Sequence, residues 1–195
     1  MRKELLSGDD IFVIHHFLTP EECAQFIAAS EAVGYGDAPI TTGAGPVMFK
    51  EIRNNDRVMI DDPAMAEMLF ERVRPFLPER VRDWEPCGLN ERFRYYRYTR
   101  GQKFDWHCDG EYHRRNAEES KLTFMIYLNG GIAGGETMFH LHEGRVSDAD
   151  ADLRVLPWAG KALLFRHELL HTGAMVLDGV KYVLRTDVMF REQPE

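Results

Sequence analysis

The sequence has only three cysteines in 195 residues, Cys23, Cys87 and Cys108. That is too few for a disulfide framework and fits a reducing compartment, so a cytoplasmic location is expected. No apolar run approaches the roughly 20 residues needed to span a bilayer, so no membrane partner is expected. The opening "MRKELLSGDDIFVIHHF" has two basic residues but lacks the small-residue cleavage pattern of a secretory leader. Basic charge is in deficit, with 24 Lys+Arg against 32 Asp+Glu and a net charge of −8. A general nucleic-acid binder needs a broad cationic footprint, so no nucleic-acid partner is expected, although "ERFRYYRYTR" is locally basic. Internal repeats and low-complexity segments are also missing. The remaining composition, 44% hydrophobic and 29% charged, is that of a globular chain of one domain over 1–195.

The first part of the chain reads as helical. After an apolar strand in "DIFVIHHF", Thr19 is a fitting N-cap, Pro20 suits the first helical position and Glu22 closes a capping box. Cys23, Phe26, Ile27 and Ser30 make the buried stripe of this helix, and Gly34 stops it. A second helix starts at Asp62 and Pro63 and ends or kinks at Pro75. Between them, residues 37–62 lack helical period and are rich in Gly and Pro, which predicts a long loop with at most a short strand. Near residue 90 the character changes. "RFRYYRY", "LTFMIYL", "ETMFH", "KALLF" and "VKYVLRTDVMF" are short β-branched or aromatic runs separated by Gly-rich turns, the pattern of a sandwich or jelly roll. The expected architecture is therefore mainly β with N-terminal helices. Residues 1–87 form a helical support with a lid loop, 88–192 the β core, and the two parts share one hydrophobic interior.

Two motifs carry chemistry. "HELLH", His167 to His171, has the spacing of a zinc protease, with two histidines on one helical face and a glutamate over the bound water. "FDWHCDG" places His107 and Asp109 two apart. On a strand both project from one face while Trp106 and Cys108 face away. An imidazole and a carboxylate side by side supply two metal ligands, and His171, just before a later strand, can supply a third. Two histidines and one carboxylate on one face of an octahedron leave three positions open, the facial triad of non-haem Fe(II) oxygenases. A His-x-Asp pair alone is commonly a surface turn. Its context, an aromatic strand before it and a very polar loop "GEYHRRNAEES" after it, favours a site.

From about residue 88 to 192 the chain resembles the Fe(II)- and 2-oxoglutarate-dependent dioxygenases, in their prolyl 4-hydroxylase-like branch. The matching segments are "YYRYTRGQKFDWHCDG", "LTFMIYLNGGIAGGETMF", "PWAGKALLF" and "HTGAMVLDGVKYVLR". The resemblance implies a double-stranded β-helix (jelly roll) with His107, Asp109 and His171 as iron ligands. It also implies Fe(II) as cofactor, 2-oxoglutarate and O2 as co-substrates and L-ascorbate as a candidate reductant. Lys181 matches the lysine that holds the far carboxylate of 2-oxoglutarate. Tyr98 and Tyr127 match tyrosines of the same pocket, and Thr137 is a weaker match. Arg185, on the same predicted strand face as Lys181, competes for the anchor role, because a guanidinium grips a carboxylate in a fork. Its structural alternative is an ion pair with Asp187.

The protease reading then loses ground. One zincin class would need histidine at 177 and glycine at 174, where the chain has Leu177 and Ala174. Pro157 and Gly160 before the motif and Gly173 after it leave room for a strand and a tight loop. The protease also leaves His107 and Asp109 without a role. "KALLF" is therefore expected as a strand, "RHELL" as a turn, and only His171 at the metal, with His167 and Glu168 as loop residues near the rim. An Asp at position 109, rather than a small residue, implies hydroxylation rather than halide transfer. The substrate implied is a prolyl residue in a protein or peptide. A free amino acid or small natural product is the alternative substrate, and a non-catalytic cupin-like metal module is the alternative of another class. Arg53, Asn54, Asn55 and Arg57 are candidate substrate contacts on the 37–62 loop.

Overall fold

The computed structural model describes residues 1–43, 45–142 and 146–192. Strands β1 (Arg2–Ser7) and β2 (Ile11–His15) open the chain as an antiparallel pair. Helix α1 (Pro20–Val33) starts on the predicted capping box. Glu22 N donates to the Thr19 hydroxyl, and the Glu22 carboxylate accepts from Thr19 N. Gly34 ends it with a φ of 89°, a conformation glycine adopts without a Cβ penalty. Next come β3 (Gly36–Asp37), the small hairpin β4 (Ile40–Thr42) and β5 (Gly45–Val47), and β6 (Asp56–Asp61). Helix α2 (Pro63–Val73) is capped by the Asp62 carboxylate, which accepts from Met65 N, and Pro75 falls in the 3-10 turn Arg74–Phe76 that follows.

The rest is strand. β7 (Trp84–Leu89), β8 (Arg92–Tyr98), β9 (Phe104–His107) and β10 (Glu119–Tyr127) precede β11 (Ala133–Gly134), β12 (Thr137–His140) and β13 (Leu153–Val155). β14 (Ala162–Arg166), β15 (Leu170–Gly173), β16 (Val176–Asp178) and β17 (Lys181–Glu192) complete the chain. Among the described residues, nine strands form one antiparallel sheet in the order β1-β2-β14-β10-β17-β8-β6-β3, with β7 also on β17. Four strands, β13-β12-β15-β9, form the second sheet. The fold is a double-stranded β-helix buttressed by helices.

Period-2 alternation sorts the core into two parts. On one face of the large sheet Phe93, Tyr95, Leu122, Phe124, Ile126 and Leu184 pack with Ala66, Leu69 and Val73 of α2. On the other face Tyr96, Tyr98, Met125, Tyr127, Leu163 and Val183 pack with Phe139 of the small sheet. Gly160 shows why the turn before β14 needs glycine. Its carbonyl accepts from Phe17 N and Leu18 N, its φ is +76°, and a Cβ there would lie 2.1 Å from the Leu18 carbonyl oxygen.

Two expectations need correction. The 37–62 segment is not merely a loop, because its end is β6, paired along its length with β8. "DRVMID" is a half-buried strand whose Val58 and Ile60 join the helix-side core, and the flanking polar residues masked that alternation. Likewise 1–87 is not only a helical support. β1, β2, β3 and β6 all join the large sheet, and β7 crosses the expected boundary at 87/88.

Candidate active site

Pairing of β9 with β15 sets His171 directly opposite His107. Trp106 and Cys108 turn away as strand alternation requires. The Trp106 indole donates to Asp148 at 3.1 Å, and the exposed Cys108 thiol donates to the Glu168 carbonyl. Asp109 N donates to the His167 carbonyl at 2.9 Å, which folds the chain back under the two imidazoles. One ligand atom each from His107, Asp109 and His171 then lies within 4.8 Å of the others. His107 Nε2 is 3.7 Å from one Asp109 oxygen and His171 Nε2 is 3.6 Å from the other.

The electrostatics prepare a ligand set. His107 Nδ1 meets the Asp105 carbonyl at 2.7 Å, and His171 Nδ1 meets the Leu169 carbonyl at 2.9 Å. A carbonyl only accepts, so each proton sits on Nδ1 and each Nε2 lone pair faces the centre. Burial, and then the neighbouring His171, pushes His107 down to about 3, and burial lowers His171 as well. Both rings are thus neutral, the form that ligates. Burial alone would raise Asp109, but Arg185, His171, His107 and the Thr123 hydroxyl together hold it well below the ordinary carboxylate range. Two neutral nitrogens and one anionic oxygen converging from one side fit Fe(II) with open positions opposite.

The carboxylate is itself braced. The Thr123 hydroxyl donates to Asp109 Oδ2 at 2.5 Å, and Arg185 Nη1 lies 2.9 Å from Oδ1. His167 is only 2% exposed. Its ring lies between the Thr123 hydroxyl at 3.0 Å and the Ser120 hydroxyl at 2.9 Å. This corrects the expectation of a rim loop for His167, because the turn after β14 tucks the ring back against β10. Glu168 is exposed, and among the described residues its carboxylate pairs only with Arg166, at 3.6 Å. His167→Ala is therefore expected to weaken Fe(II) binding about tenfold, as loss of a group behind a ligand commonly does, while Glu168→Gln leaves it unchanged. Anaerobic Fe(II) titration checks this. Equal losses in both variants would restore the zincin reading.

One cavity is lined by the triad together with Tyr98, Met125, Thr137, Val183 and Lys181. Lys181 is 2% exposed, with its ammonium 5.0 Å from the Tyr98 ring centre and 5.6 Å from that of Tyr127. Among the described residues it forms no hydrogen bond or ion pair, and burial lowers it to about 7. Tyr127 donates to the Thr137 hydroxyl at 2.7 Å beside it. Arg185 shares the strand face but is engaged elsewhere, with Asp109 and with Asp187 at 3.3 Å. A buried lysine on the wall of a cavity, attracted by Glu136 but without a hydrogen bond or ion pair among the described residues, fits a ligand that brings a carboxylate.

Outside the triad lies a wider groove. Arg53 and Arg57 line it with Ile40, Tyr96, Gly110 and Tyr112. Arg53 is buried, with its guanidinium stacked 4.4 Å from the Phe104 ring and 4.7 Å from the Tyr96 ring. Asn54 and Asn55 serve the backbone instead. The Asn54 side chain accepts from Lys103 N at 2.7 Å, and Asn55 binds Arg53 Nε and the Asp56 carbonyl. The sequence reading missed Thr123 and Arg94. Both follow from alternation, since Thr123 shares a face with Tyr127 and Arg94 shares one with Tyr96 and Tyr98.

Fold and site together define a double-stranded β-helix metalloprotein with a facial two-histidine, one-carboxylate centre. Residues 93–186 match the model of the 2OG-Fe(II) oxygenase superfamily. The match spans 94 of the chain's 195 residues, and the chain is similar to that superfamily. It is similar to probable prolyl 4-hydroxylase 8 of Arabidopsis thaliana, 26% identical over 195 aligned residues, covering 88% of this chain and 65% of that protein. The chain thus spans just under two thirds of that relative's length. Among solved structures it resembles the viral collagen prolyl hydroxylase of Paramecium Bursaria Chlorella virus-1 in its 2OG complex. That match has a TM-score of 0.62 at 19% identity and covers 95% of this chain and 99% of that one. A Trichoplax adhaerens prolyl hydroxylase in complex with a hypoxia inducible factor peptide gives a TM-score of 0.68 at 16% identity, covering 94% and 84%. At these identities the two structures speak for the fold. Among the described residues no helix is long and apolar enough to cross a membrane.

Proposed function

We propose that the protein is an Fe(II)- and 2-oxoglutarate-dependent dioxygenase that hydroxylates a C–H bond, with a prolyl residue of a peptide or protein as substrate. One observation carries this reading. Three convergent ligand atoms line the same cavity as a buried lysine that forms no hydrogen bond or ion pair among the described residues. The bound Fe(II) supplies activation of dioxygen coupled to decarboxylation of 2-oxoglutarate, giving succinate, CO2 and a hydroxylated product. His107, Asp109 and His171 hold the metal by one face. Lys181 takes the far carboxylate of 2-oxoglutarate, with Thr137, Tyr127 and Tyr98 shaping the pocket around it. Thr123 and Arg185 keep the Asp109 carboxylate anionic and fixed in direction. The apolar walls of Met125, Val183 and Phe165 exclude water from the reacting end. The prolyl assignment is supported by the names of the relatives and of the structures sharing the fold.

Incubation with Fe(II), 2-oxoglutarate and a reductant under air is expected to yield succinate, and no zinc-dependent proteolysis of casein is expected. Fe(II) binding without succinate, even with a panel of prolyl peptides and free amino acids, would leave only a metal-binding module.

A further inference from the structure

The whole chain is acidic, with a net charge of −8, yet the groove outside the triad is basic. Arg53, Arg57, Arg94 and Arg185 line it together. The large sheet brings them there by register. Arg94 on β8 lies directly opposite Arg185 on β17, and Arg57 on β6 lies opposite Tyr96, one inward position from Arg94. Like charges directly opposed across strands are destabilising, so this arrangement works against the fold unless something anionic shares it. The anions within the protein are too few. Asp187 takes Arg94 at 3.1 Å and Arg185 at 3.3 Å. Asp109 is committed to the metal. Glu111, at the rim, already faces Lys121 at 3.5 Å and His113 at 3.8 Å.

Two guanidinium atoms on this wall, Arg53 Nη2 and Arg185 Nε, are buried without a hydrogen-bond partner among the described residues. Arg57 forms no ion pair or hydrogen bond among the described residues. Burial lowers its pKa, Tyr96 opposes that shift, and repulsion from Arg53, Arg94 and Arg185 adds to it. Binding Fe(II) and doubly charged 2-oxoglutarate leaves the local sum unchanged, so the excess of positive charge persists in the loaded site.

We propose that this groove selects substrates carrying a carboxylate beside the C–H bond to be hydroxylated, gripped by the Arg57 and Arg94 guanidiniums. The proposal rests on the hydroxylase reading and names the chemistry of its substrate. Guanidiniums recognise carboxylates in a planar fork, and a groove lined by one sign of charge also raises the local concentration of an oppositely charged substrate. The carboxylate has two sources, an acidic side chain next to a prolyl residue or the free α-carboxylate of a small acid. An uncharged proline-rich segment leaves the arginines uncompensated.

The test is calorimetric binding to the protein loaded anaerobically with Fe(II) and 2-oxoglutarate. The probes are capped pentapeptides with a central proline flanked by Glu, their Gln twins, and L-proline against L-prolinamide. The carboxylate member of at least one pair should bind about tenfold or more tightly, with the advantage shrinking as salt is added. A preference confined to the peptides assigns an acidic side chain, and one confined to L-proline assigns a free acid. Arg57→Gln and Arg94→Gln should each remove most of the preference, while Arg57→Lys, which keeps the charge without the fork, retains part of it. Circular dichroism and melting curves confirm that the variants fold. Equal binding within every pair, or binding by no probe, overturns the proposal. Succinate formation from 2-oxoglutarate is measured in parallel. Succinate with no carboxylate preference sinks the groove proposal alone, and a carboxylate preference without any succinate sinks the hydroxylase reading alone.

Discussion

Asp109→Ala is expected to lose Fe(II) binding and to destabilise the metal-free protein as well. The first effect follows from removing the one anionic ligand of three. The second follows from the groups behind it. Asp109 is 4% exposed, and its Oδ1 lies 2.9 Å from Arg185, whose side chain is 14% exposed. Breaking a buried pair by deleting one partner costs about 3–5 kcal/mol, because the remaining charge keeps its desolvation penalty. In a chain of this size that lowers Tm by on the order of 10 °C. Asp187 stays in place for Arg185, at 3.3 Å, so the loss falls at the lower end. The double variant Asp109→Ala/Arg185→Met removes both charges and should recover most of the Tm without recovering metal, while Asp187 keeps Arg94 and Asn90 as partners. Thermal melts and anaerobic Fe(II) titrations of the two variants separate the effects. Retained Fe(II) binding by Asp109→Ala removes this carboxylate from the ligand set. A double variant no more stable than the single one would show that Arg185 is not held by Asp109.

What the sequence disclosed tracks the range of the interactions involved. The capping box at Thr19 and Glu22 and the stop at Gly34 are local, and both elements stand where the residues put them. His107 and Asp109 were legible from their two-residue spacing, although β9 ends at His107 and Asp109 is brought beneath the imidazoles by its bond to the His167 carbonyl. "KALLF" has helix-forming residues, yet the flanking Pro157, Gly160 and Gly173 pointed to a strand, and β14 pairs there with β2 and β10. The burial of His167 lay beyond reach of the sequence, since it depends on β10 passing behind the turn. Lys181 and Arg185 were inseparable for a related reason. Alternation gives them the same face, and only the positions of Asp109, Asp187 and Arg94 in the fold distinguish a guanidinium held by ion pairs from an ammonium that has none among the described residues. β1 was missed because edge strands carry half-exposed, mixed residues whose alternation is weak, and β6 is longer than the short strand expected in 37–62.

Lys181→Met is expected to weaken the response to 2-oxoglutarate and to stabilise the ligand-free protein. A charge-assisted hydrogen bond is worth about 1.5–3 kcal/mol, and each 1.4 kcal/mol is tenfold in affinity, so 2-oxoglutarate should bind about one to two orders of magnitude more weakly. Fe(II) affinity should hardly change, because Lys181 is not one of the three ligands. Arg185→Ala, by contrast, should weaken metal binding more than 2-oxoglutarate binding. The stability gain arises because burial of the Lys181 ammonium outweighs its attraction to Glu136, and Met fills similar space with no charge to desolvate. Burial lowers this lysine to about 7 in the folded protein, against about 10.4 unfolded. Between those values the unfolded chain binds more protons than the folded one, so this group makes stability rise with pH across that window. Below pH 7 the lysine is charged in both states and the penalty is complete. Above about 10.4 it is neutral in both and the penalty is gone. The Tm advantage of Lys181→Met should therefore be largest near pH 7 and shrink toward pH 10. Saturating 2-oxoglutarate should raise the Tm of the native protein by clearly more than that of the variant. A variant whose Tm rises as much as that of the native protein, with the same midpoint in 2-oxoglutarate, would move the anchor to another residue. A pH-independent Tm difference would mean that Lys181 keeps its ordinary pKa in the empty cavity.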